Sequence, residues 1–179
     1  FFGKRGGITM SGGEPLMQAK AIAPFFRMLQ EEGFNTCIDT NGSYITEDVK
    51  ELLEYTDLVL LDIKEMDEQA HINIAGASNK ATLRFTKYLH EINKPVWARY
   101  VLVPGYTDSE EHLHALGKFL QPMKNIEKLE IQPYHKLGVH KYESLGWKYE
   151  LENVPQNTPE QLIKAKEILT EYIDEVIVN

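Results

Sequence analysis

The residues best suited to chemistry in this sequence follow short apolar segments instead of lying within them. The first set is Ser11-Gly12-Gly13-Glu14, in which two glycines can let a ligand approach the backbone and the Glu14 carboxylate can receive a cation such as an ammonium. A plain turn, with Glu14 capping a following helix, is the structural alternative. Polar or glycine-containing sets follow four later apolar segments, at 39–42, 62–64, 103–105 and 132–135.

The set at 62–64 combines a carboxylate with an amine. Asp62 and Lys64 are two positions apart, so on a strand both side chains face the same way. Two interpretations stay open: a structural Asp62–Lys64 ion pair, or a lysine inside a barrel that forms a Schiff base with a carbonyl substrate. Arg99 lies in an apolar segment and therefore needs a carboxylate partner, from the protein or from a substrate.

Two further sets are less specific. Asp39-Thr40-Asn41-Gly42 is either a functional segment or an ordinary turn, since Asn-Gly favours a positive φ. His135 follows a proline and a tyrosine, and it either serves a site or caps its own loop. The other histidines have no supporting spacing, and the sequence contains no glycine-rich phosphate loop, Ser-His-Asp order or paired-His metal motif.

Strands and helices that alternate along the whole chain must position these residues. The apolar run at 58–61 is typical of a parallel strand covered on both faces. The alternation predicts the α/β class, and either an open doubly wound sheet or a barrel satisfies it. In both architectures the carboxyl ends of the strands meet on one rim, so the polar sets are expected to share one site. Strands are predicted at 6–10, 35–39, 57–63, 96–102, 128–132 and 175–178.

Helices are predicted between the strands, and several carry start or stop signals. Pro15 suits a first helical position, Gly33 suits a left-handed stop, and Pro24 is expected to kink or split the helix between them. Further helices are predicted at 48–55, 81–92, 109–120 and 159–172, and 135–156 has no clear periodicity. The predicted capping pairs are Asp108 with Glu111 and Thr158 with Gln161.

The composition is that of one soluble globular domain over residues 1–179. Hydrophobic residues make up 42% and charged residues 26%, and the formal net charge of −8 disfavours a nucleic-acid partner. No apolar run is long enough for a membrane span, so no membrane partner is expected. The single cysteine, Cys37, excludes a disulfide framework, which favours a cytoplasmic location. The sequence opens with Phe1-Phe2 and not with a methionine, which suggests a fragment that begins within a fold.

Five segments, in their order and spacing, together resemble one known family. They are TMSGGEPL, CIDTNG, LVLLDIK, VWARYVLVPGYTD and IQPYHKLG, and the likeness extends over nearly the whole chain. The sequence is similar to the pyruvate formate-lyase activating enzymes, members of the radical S-adenosylmethionine superfamily. The resemblance implies a partial parallel (β/α) barrel of the radical S-adenosylmethionine type.

The resemblance also implies roles for the polar sets. The residues implied to bind the cofactor S-adenosylmethionine are Gly12, Gly13, Glu14, Asn41, Lys64 and His135, of which the first three would hold the amino group of its methionine moiety. Those implied to hold a monovalent cation beside the cofactor carboxylate are Asp39, Thr40 and Asp62, with a backbone oxygen of Leu60. Arg99 is implied to lie near both the cofactor and the substrate peptide.

One departure from the family pattern concerns the iron-sulfur cluster. Family members carry Cys-x3-Cys-x2-Cys, three thiolates for a 4Fe-4S cluster, whereas this sequence has only Cys37, in a predicted strand. We therefore expect the first barrel strand and the cluster loop to be missing and the 179 residues as such to be inactive. We also expect the strand at 6–10 to expose an edge that favours self-association.

For the complete enzyme, the resemblance implies reductive cleavage of S-adenosylmethionine to a 5′-deoxyadenosyl radical, which abstracts hydrogen from a glycine of pyruvate formate-lyase. A flavodoxin or a ferredoxin-type protein would supply the electron. The alternatives are an activase of another glycyl-radical enzyme, a cluster-free enzyme that uses Lys64 as a Schiff-base amine, and a non-catalytic module with weak ligand binding.

Overall fold

The computed structural model describes residues 6–179, which form a six-stranded parallel sheet connected by helices. The strands pair in chain order and every neighbouring pair is parallel. Within the described residues the sheet is not closed, because β1 pairs only with β2 and β6 only with β5. The expected α/β class and partial barrel are thus confirmed. The strands are β1 Gly7–Met10, β2 Asn35–Thr40, β3 Leu58–Asp62, β4 Val96–Leu102, β5 Ile126–Pro133 and β6 Val176–Val178.

The helices between the strands include two that the sequence pattern did not predict. These are α3 Glu68–Ala75, and α6 Val139–Ser144 within the segment 135–156. A signal for α3 is present, because Asp67 caps its first turn and Gly76 ends it with a φ of 72°. The helices are α1 Ala19–Glu31, α2 Glu47–Glu54, α3 Glu68–Ala75, α4 Lys80–Glu91, α5 Glu110–Leu120, α6 Val139–Ser144 and α7 Pro159–Thr170. Across residues 6–179, none of them is long and apolar enough to cross a bilayer.

The first helical segment divides at a different place from the one expected. Pro24 lies inside α1, which is continuous. It is on the exposed side of the helix, where water can satisfy the carbonyl that the missing N–H leaves free. The segment divides instead at Gln18, where a 3-10 turn at Pro15–Gln18 passes into α1. Gly33 follows the helix with a φ of 81°, as its role as a stop requires.

One predicted cap is wrong and the other is confirmed. At α5 the capping residue is Ser109, whose hydroxyl accepts the backbone N–H of His112, and not Asp108. The one-residue shift leaves Asp108 in the preceding turn. At α7, Thr158 and Gln161 form the reciprocal capping box that the sequence predicts.

Strand residues alternate between a fully buried face and a partly open face. Ile38, Val59 and Ala98 are completely buried and belong to a core that also contains the apolar sides of the helices. The alternate residues Leu58 and Leu60 are only half-buried and line a groove of about 420 Å³ on the other face of the sheet. The expectation that the run at 58–61 is covered on both faces therefore holds for one face only.

A close approach of two helices leads to the first prediction. A Cβ added to Gly117 in α5 would lie 2.6 Å from Cγ of Tyr172, which follows α7. Gly117→Ala gains about 1 kcal/mol of helix propensity, but the overlap with the ring costs about 1–3 kcal/mol. We expect a net loss of about 1 kcal/mol in the free energy of unfolding, measured by urea denaturation.

The double-mutant cycle supplies the control for this prediction. In a Tyr172→Ala background the ring is gone, so Gly117→Ala should become neutral or stabilising. A destabilisation of equal size in both backgrounds would contradict the contact as its cause.

The free edge of β1 leads to a second prediction. Among the residues described, Gly7–Met10 has a strand partner on one side only. Unpaired N–H and C=O groups on such an edge can pair with another chain. We propose self-association through this edge, so sedimentation velocity should detect dimers or larger species whose share rises with protein concentration. A monomer over the whole accessible range would contradict it.

Candidate functional site

The loop after β1 presents bare backbone to an open space. Gly12 has a φ of 99°, which favours glycine. A Cβ added to Gly12 or Gly13 would meet no heavy atom within 4 Å, so this backbone faces open space. A ligand could therefore approach these peptide groups closely.

Glu14 joins this loop to the end of β2. Its Oε1 accepts the N–H of Leu16 at 3.0 Å and the hydroxyl of Thr40 at 2.6 Å. Its Oε2 accepts the N–H of Asn41 at 3.0 Å. The capping interpretation of Glu14 is thus correct, and the same carboxylate also fixes two neighbouring strand ends relative to each other. A cationic ligand would have to share it with these donors.

Arg99 connects three neighbouring strands through two carboxylates. Its Nε donates to Oδ1 of Asp62 at 2.8 Å, and its two terminal nitrogens donate to the two carboxylate oxygens of Asp39. The expectation that Arg99 needs a carboxylate is met twice, within the protein. Burial lowers the pKa of Arg99, but the hydrogen bonds and charges of Asp39 and Asp62 outweigh it and the pKa is raised above its ordinary value.

Lys64 does not pair with Asp62. Strand β3 ends at Asp62, and Lys64 lies exposed two residues beyond it. Asp62 instead forms its ion pair with Arg99, its direct neighbour in the register of β3 and β4. The interpretation of Asp62 and Lys64 as an ion pair is therefore wrong, although both residues line one cleft.

The turn after β2 is also a regular structural turn. Gly42 has a φ of 67° and its N–H donates to the hydroxyl of Thr40 at 2.9 Å. The Asn41 side-chain oxygen accepts the N–H of Ser43 at 2.9 Å. The ordinary-turn interpretation is therefore correct, and it leaves the Asn41 side-chain amide as a donor at the rim.

Nearly all the predicted site residues surround a single cleft of about 260 Å³ at the carboxyl ends of β1 to β4. We call it the strand-end cleft. An adjoining cleft of about 370 Å³ shares Asn41, Asp62 and Lys64 with it and extends to Tyr142 of α6. The residues that line the strand-end cleft are Ser11, Gly12, Gly13, Glu14, Asp39, Thr40, Asn41, Asp62, Lys64 and Arg99.

His135 is the predicted residue that the structure does not bring to this cleft. It is exposed, beyond the end of β5, and its Nδ1 accepts the N–H of Leu137 at 3.4 Å. The strand ends that build the cleft belong to β1 to β4, so the loop after β5 does not contribute to it here.

Two cleft residues and one buried acid were given no role from the sequence. Ser11 belongs to the first polar set, and its hydroxyl donates to Oδ2 of Asp39 at 3.1 Å. Tyr142 lies on the unpredicted helix α6. Glu65 is fully buried, and its Oε1 accepts the N–H groups of Met66 and Asp67 at 2.6 and 3.0 Å.

The buried carboxylate of Glu65 fixes the turn that carries Lys64. Its Oε2 lies 2.9 Å from Nδ1 of His112 on α5, one of the histidines whose spacing gave no signal. Asn79 donates to the backbone oxygens of Glu65 and Met66 at 2.9 and 2.8 Å. The turn after β3 is thus fixed by buried hydrogen bonds from the side chains of Glu65 and Asn79.

The residues present do not offer a ready metal site. In the described part of the chain, no group of three or more His, Cys, Asp or Glu residues could hold a metal ion. Asp39 and Asp62 are engaged by Arg99, and Thr40 by Glu14. Burial raises the pKa of Cys37, so this thiol in β2 is a poor thiolate ligand. A cluster held by three thiolates does not fit a chain with one cysteine.

Comparisons with known proteins agree with this architecture. The model of the radical SAM superfamily matches residues 1–116. The pyruvate formate-lyase 1-activating enzyme of Escherichia coli is 46% identical over 169 residues, which are 93% of this chain and 69% of that protein. The pyruvate formate-lyase-activating enzyme of Staphylococcus aureus is 44% identical over 166 residues, 89% of this chain and 66% of that protein.

A solved structure supports the fold independently. A domain of a pyruvate-formate lyase-activating enzyme from Bacteroides vulgatus superposes with a TM-score of 0.81 at 23% identity, covering 97% of this chain and 99% of that one. At this identity the likeness concerns the fold alone. The superfamily model spans more than half of the chain and the Escherichia coli protein is 46% identical over 93% of it. The chain therefore belongs to the pyruvate formate-lyase-activating enzymes of the radical S-adenosylmethionine superfamily.

Proposed function

We propose that this chain binds S-adenosylmethionine in the strand-end cleft and takes part in activating pyruvate formate-lyase. The proposal is supported by one observation: Gly12, Gly13, Glu14, Asn41 and Lys64 converge around one cleft. Relatives of this chain are named as activating enzymes of pyruvate formate-lyase. In an activase that holds the 4Fe-4S cluster, S-adenosylmethionine would supply, by reductive cleavage, the 5′-deoxyadenosyl radical that abstracts hydrogen from a glycine of the partner. We propose a flavodoxin or ferredoxin-type reductant and a cytoplasmic location.

The chain's own residues fit such a ligand in charge and in space. The open backbone at Gly12 and Gly13 leaves room for the ligand, and Glu14 can receive its ammonium group. Asn41 and Lys64 line both the strand-end cleft and the adjoining one, so they can orient the remainder of the ligand. His135 could contribute only after a change in its loop, because its side chain now bonds within that loop.

The 4Fe-4S cluster does not fit the residues of this sequence, and we assign no step to it. With Cys37 as the one cysteine, and that one in β2, we propose that the 179 residues alone do not cleave S-adenosylmethionine. The Schiff-base alternative gains no support, since Lys64 is exposed at the rim and not inside a barrel.

A monovalent cation at Asp39, Thr40 and Asp62 is a finer part of the proposal. Oxygen ligands of this kind suit an alkali cation, but both oxygens of Asp39 already accept from Arg99. A cation at these residues would share the Asp39 oxygens with the Arg99 guanidinium.

Gly13→Ala tests the proposed ligand site. The new methyl group would enter open space, and φ at Gly13 is not in the left-handed region, so stability should be unchanged. If the ligand lies against this backbone, its affinity should fall about tenfold or more, measured by isothermal titration calorimetry with S-adenosylmethionine.

The matched control is Gly138→Ala, at a glycine that also has open space around its Cβ position and a φ of −86° but lies outside the cleft. It should leave the affinity unchanged. No binding of S-adenosylmethionine by the parent chain, or equal affinities for all three proteins, would contradict the proposal.

Anaerobic reconstitution with iron and sulfide tests the assignment for Cys37. We expect no stoichiometric four-iron cluster in this chain, and the same iron content in Cys37→Ser, because the half-buried thiol lies in a strand and the sequence has no second cysteine. Iron and acid-labile sulfide analysis provide the measurement. A stoichiometric cluster that disappears in Cys37→Ser would show the assignment to be wrong.

A further inference from the structure

The residues on either side of Lys64 are both buried, although Lys64 itself is exposed. Ile63 is buried, and its N–H donates to the backbone oxygen of Arg99 at 3.0 Å. Glu65 is completely buried on the other side. The position of Lys64 at the strand-end cleft therefore depends on two anchors, one apolar and one acidic. The apolar anchor needs no polar partner, whereas a buried carboxylate does.

Glu65 has backbone donors for only one of its two carboxylate oxygens. Its Oε1 accepts the N–H groups of Met66 and Asp67 at 2.6 and 3.0 Å. Its Oε2 is buried and accepts no aligned hydrogen bond in the described part of the chain, but Nδ1 of His112 lies 2.9 Å away. That nitrogen is also buried and has no other partner among residues 6–179. A small rotation of the ring would direct its N–H at Oε2.

The other polar groups near Glu65 do not replace His112. Burial and then the negative charge of Glu65 raise the pKa of Tyr100 in β4, so this hydroxyl keeps its proton. The hydroxyl donates to the backbone oxygen of Thr107 at 2.8 Å, and not to Glu65. Asp108 also acts on Tyr100 and adds a second negative charge. The donor for Oε2 must therefore come from His112.

We propose that His112 is a positioning residue for ligand binding, which holds the buried carboxylate of Glu65 and thereby fixes the turn that presents Lys64 to the strand-end cleft. The inference rests on the proposed function for the identity of the ligand. His112 lines neither the strand-end cleft nor the adjoining one, so it acts through Lys64. Without its donor, Oε2 would be a buried acceptor with no partner, and Glu65 would move towards water together with the backbone of the turn.

Helix α5 itself supplies the matched control. Nδ1 of His114 lies 2.9 Å from the hydroxyl of Tyr172, which follows α7, so His114→Leu removes a histidine contact from α5 without changing the turn. His112→Leu removes the donor that faces Glu65. His112→Asn keeps an N–H near the position of Nδ1 and tests rescue by a conservative variant.

The first measurement follows the backbone and needs no ligand. The amide protons of Met66 and Asp67, which donate to Glu65, should exchange slowly in the parent chain when followed by NMR. In His112→Leu they should exchange at least about tenfold faster, because the carboxylate that accepts from them is no longer held. His114→Leu and His112→Asn should keep the rates of the parent chain. Fast exchange in the parent chain, or the same acceleration in both leucine variants, would overturn the proposal.

The second measurement is calorimetric titration with S-adenosylmethionine. Its affinity should fall about tenfold in His112→Leu and stay unchanged in His114→Leu and His112→Asn. Faster exchange without a loss of affinity would show that His112 has only a structural role. If the parent chain bound no S-adenosylmethionine, the proposed function would fail, and the exchange rates would still confirm or overturn the link from His112 to the turn. The rates of the parent chain also decide this if His112→Leu does not fold.

Discussion

The bridge from Arg99 to Asp39 and Asp62 depends on strand register, and the rest of the site depends on the same register. Asp62 pairs with Arg99 across β3 and β4, while Asp39 of β2 pairs with Leu60, two residues before Asp62. Side chains alternate along a strand, so a slip of one residue would turn one member of the set to the opposite face. Three charges on three strands therefore meet only if the parallel pairing is correct throughout.

The register that forms the cleft also forms the core. Ile38, Leu61 and Ala98 each neighbour a member of the charged set in sequence, and all three are completely buried on the other face of the sheet. Burial of large apolar side chains such as Ile38 and Leu61 contributes about 1.5–3 kcal/mol each, whereas the attraction within a largely shielded ion pair is offset by the cost of taking its charges out of water. The apolar face thus fixes the register, and the charges follow from it without having to stabilise the fold.

This division explains which features the sequence could predict. Strand positions, the shared rim and a carboxylate partner for Arg99 follow from periodicity and from the cost of burying charge. The identity of that partner did not follow, because the sequence also allows Asp62 to pair with Lys64 until it is known that β3 ends at Asp62. The short helix α6 has no buried residue, so it lacks the apolar pattern on which prediction depends. Ser109 replaced Asp108 as a cap because neighbouring polar residues compete for one position.

The position of His135 can be understood from the same energetics. The cleft formed by β1 to β4 is fixed by the carboxylates of Glu14 and Glu65, which accept two backbone hydrogen bonds each at 2.6–3.0 Å. One of those to Glu14 comes from the neighbouring loop after β2. Among residues 6–179, the imidazole of His135 has one long bond, to Leu137, and it is exposed to water that can replace this bond. Movement of His135 therefore costs less than rearrangement of the other loops. A ligand that contacts all five strand ends would therefore find four already arranged and would require movement of the fifth loop alone.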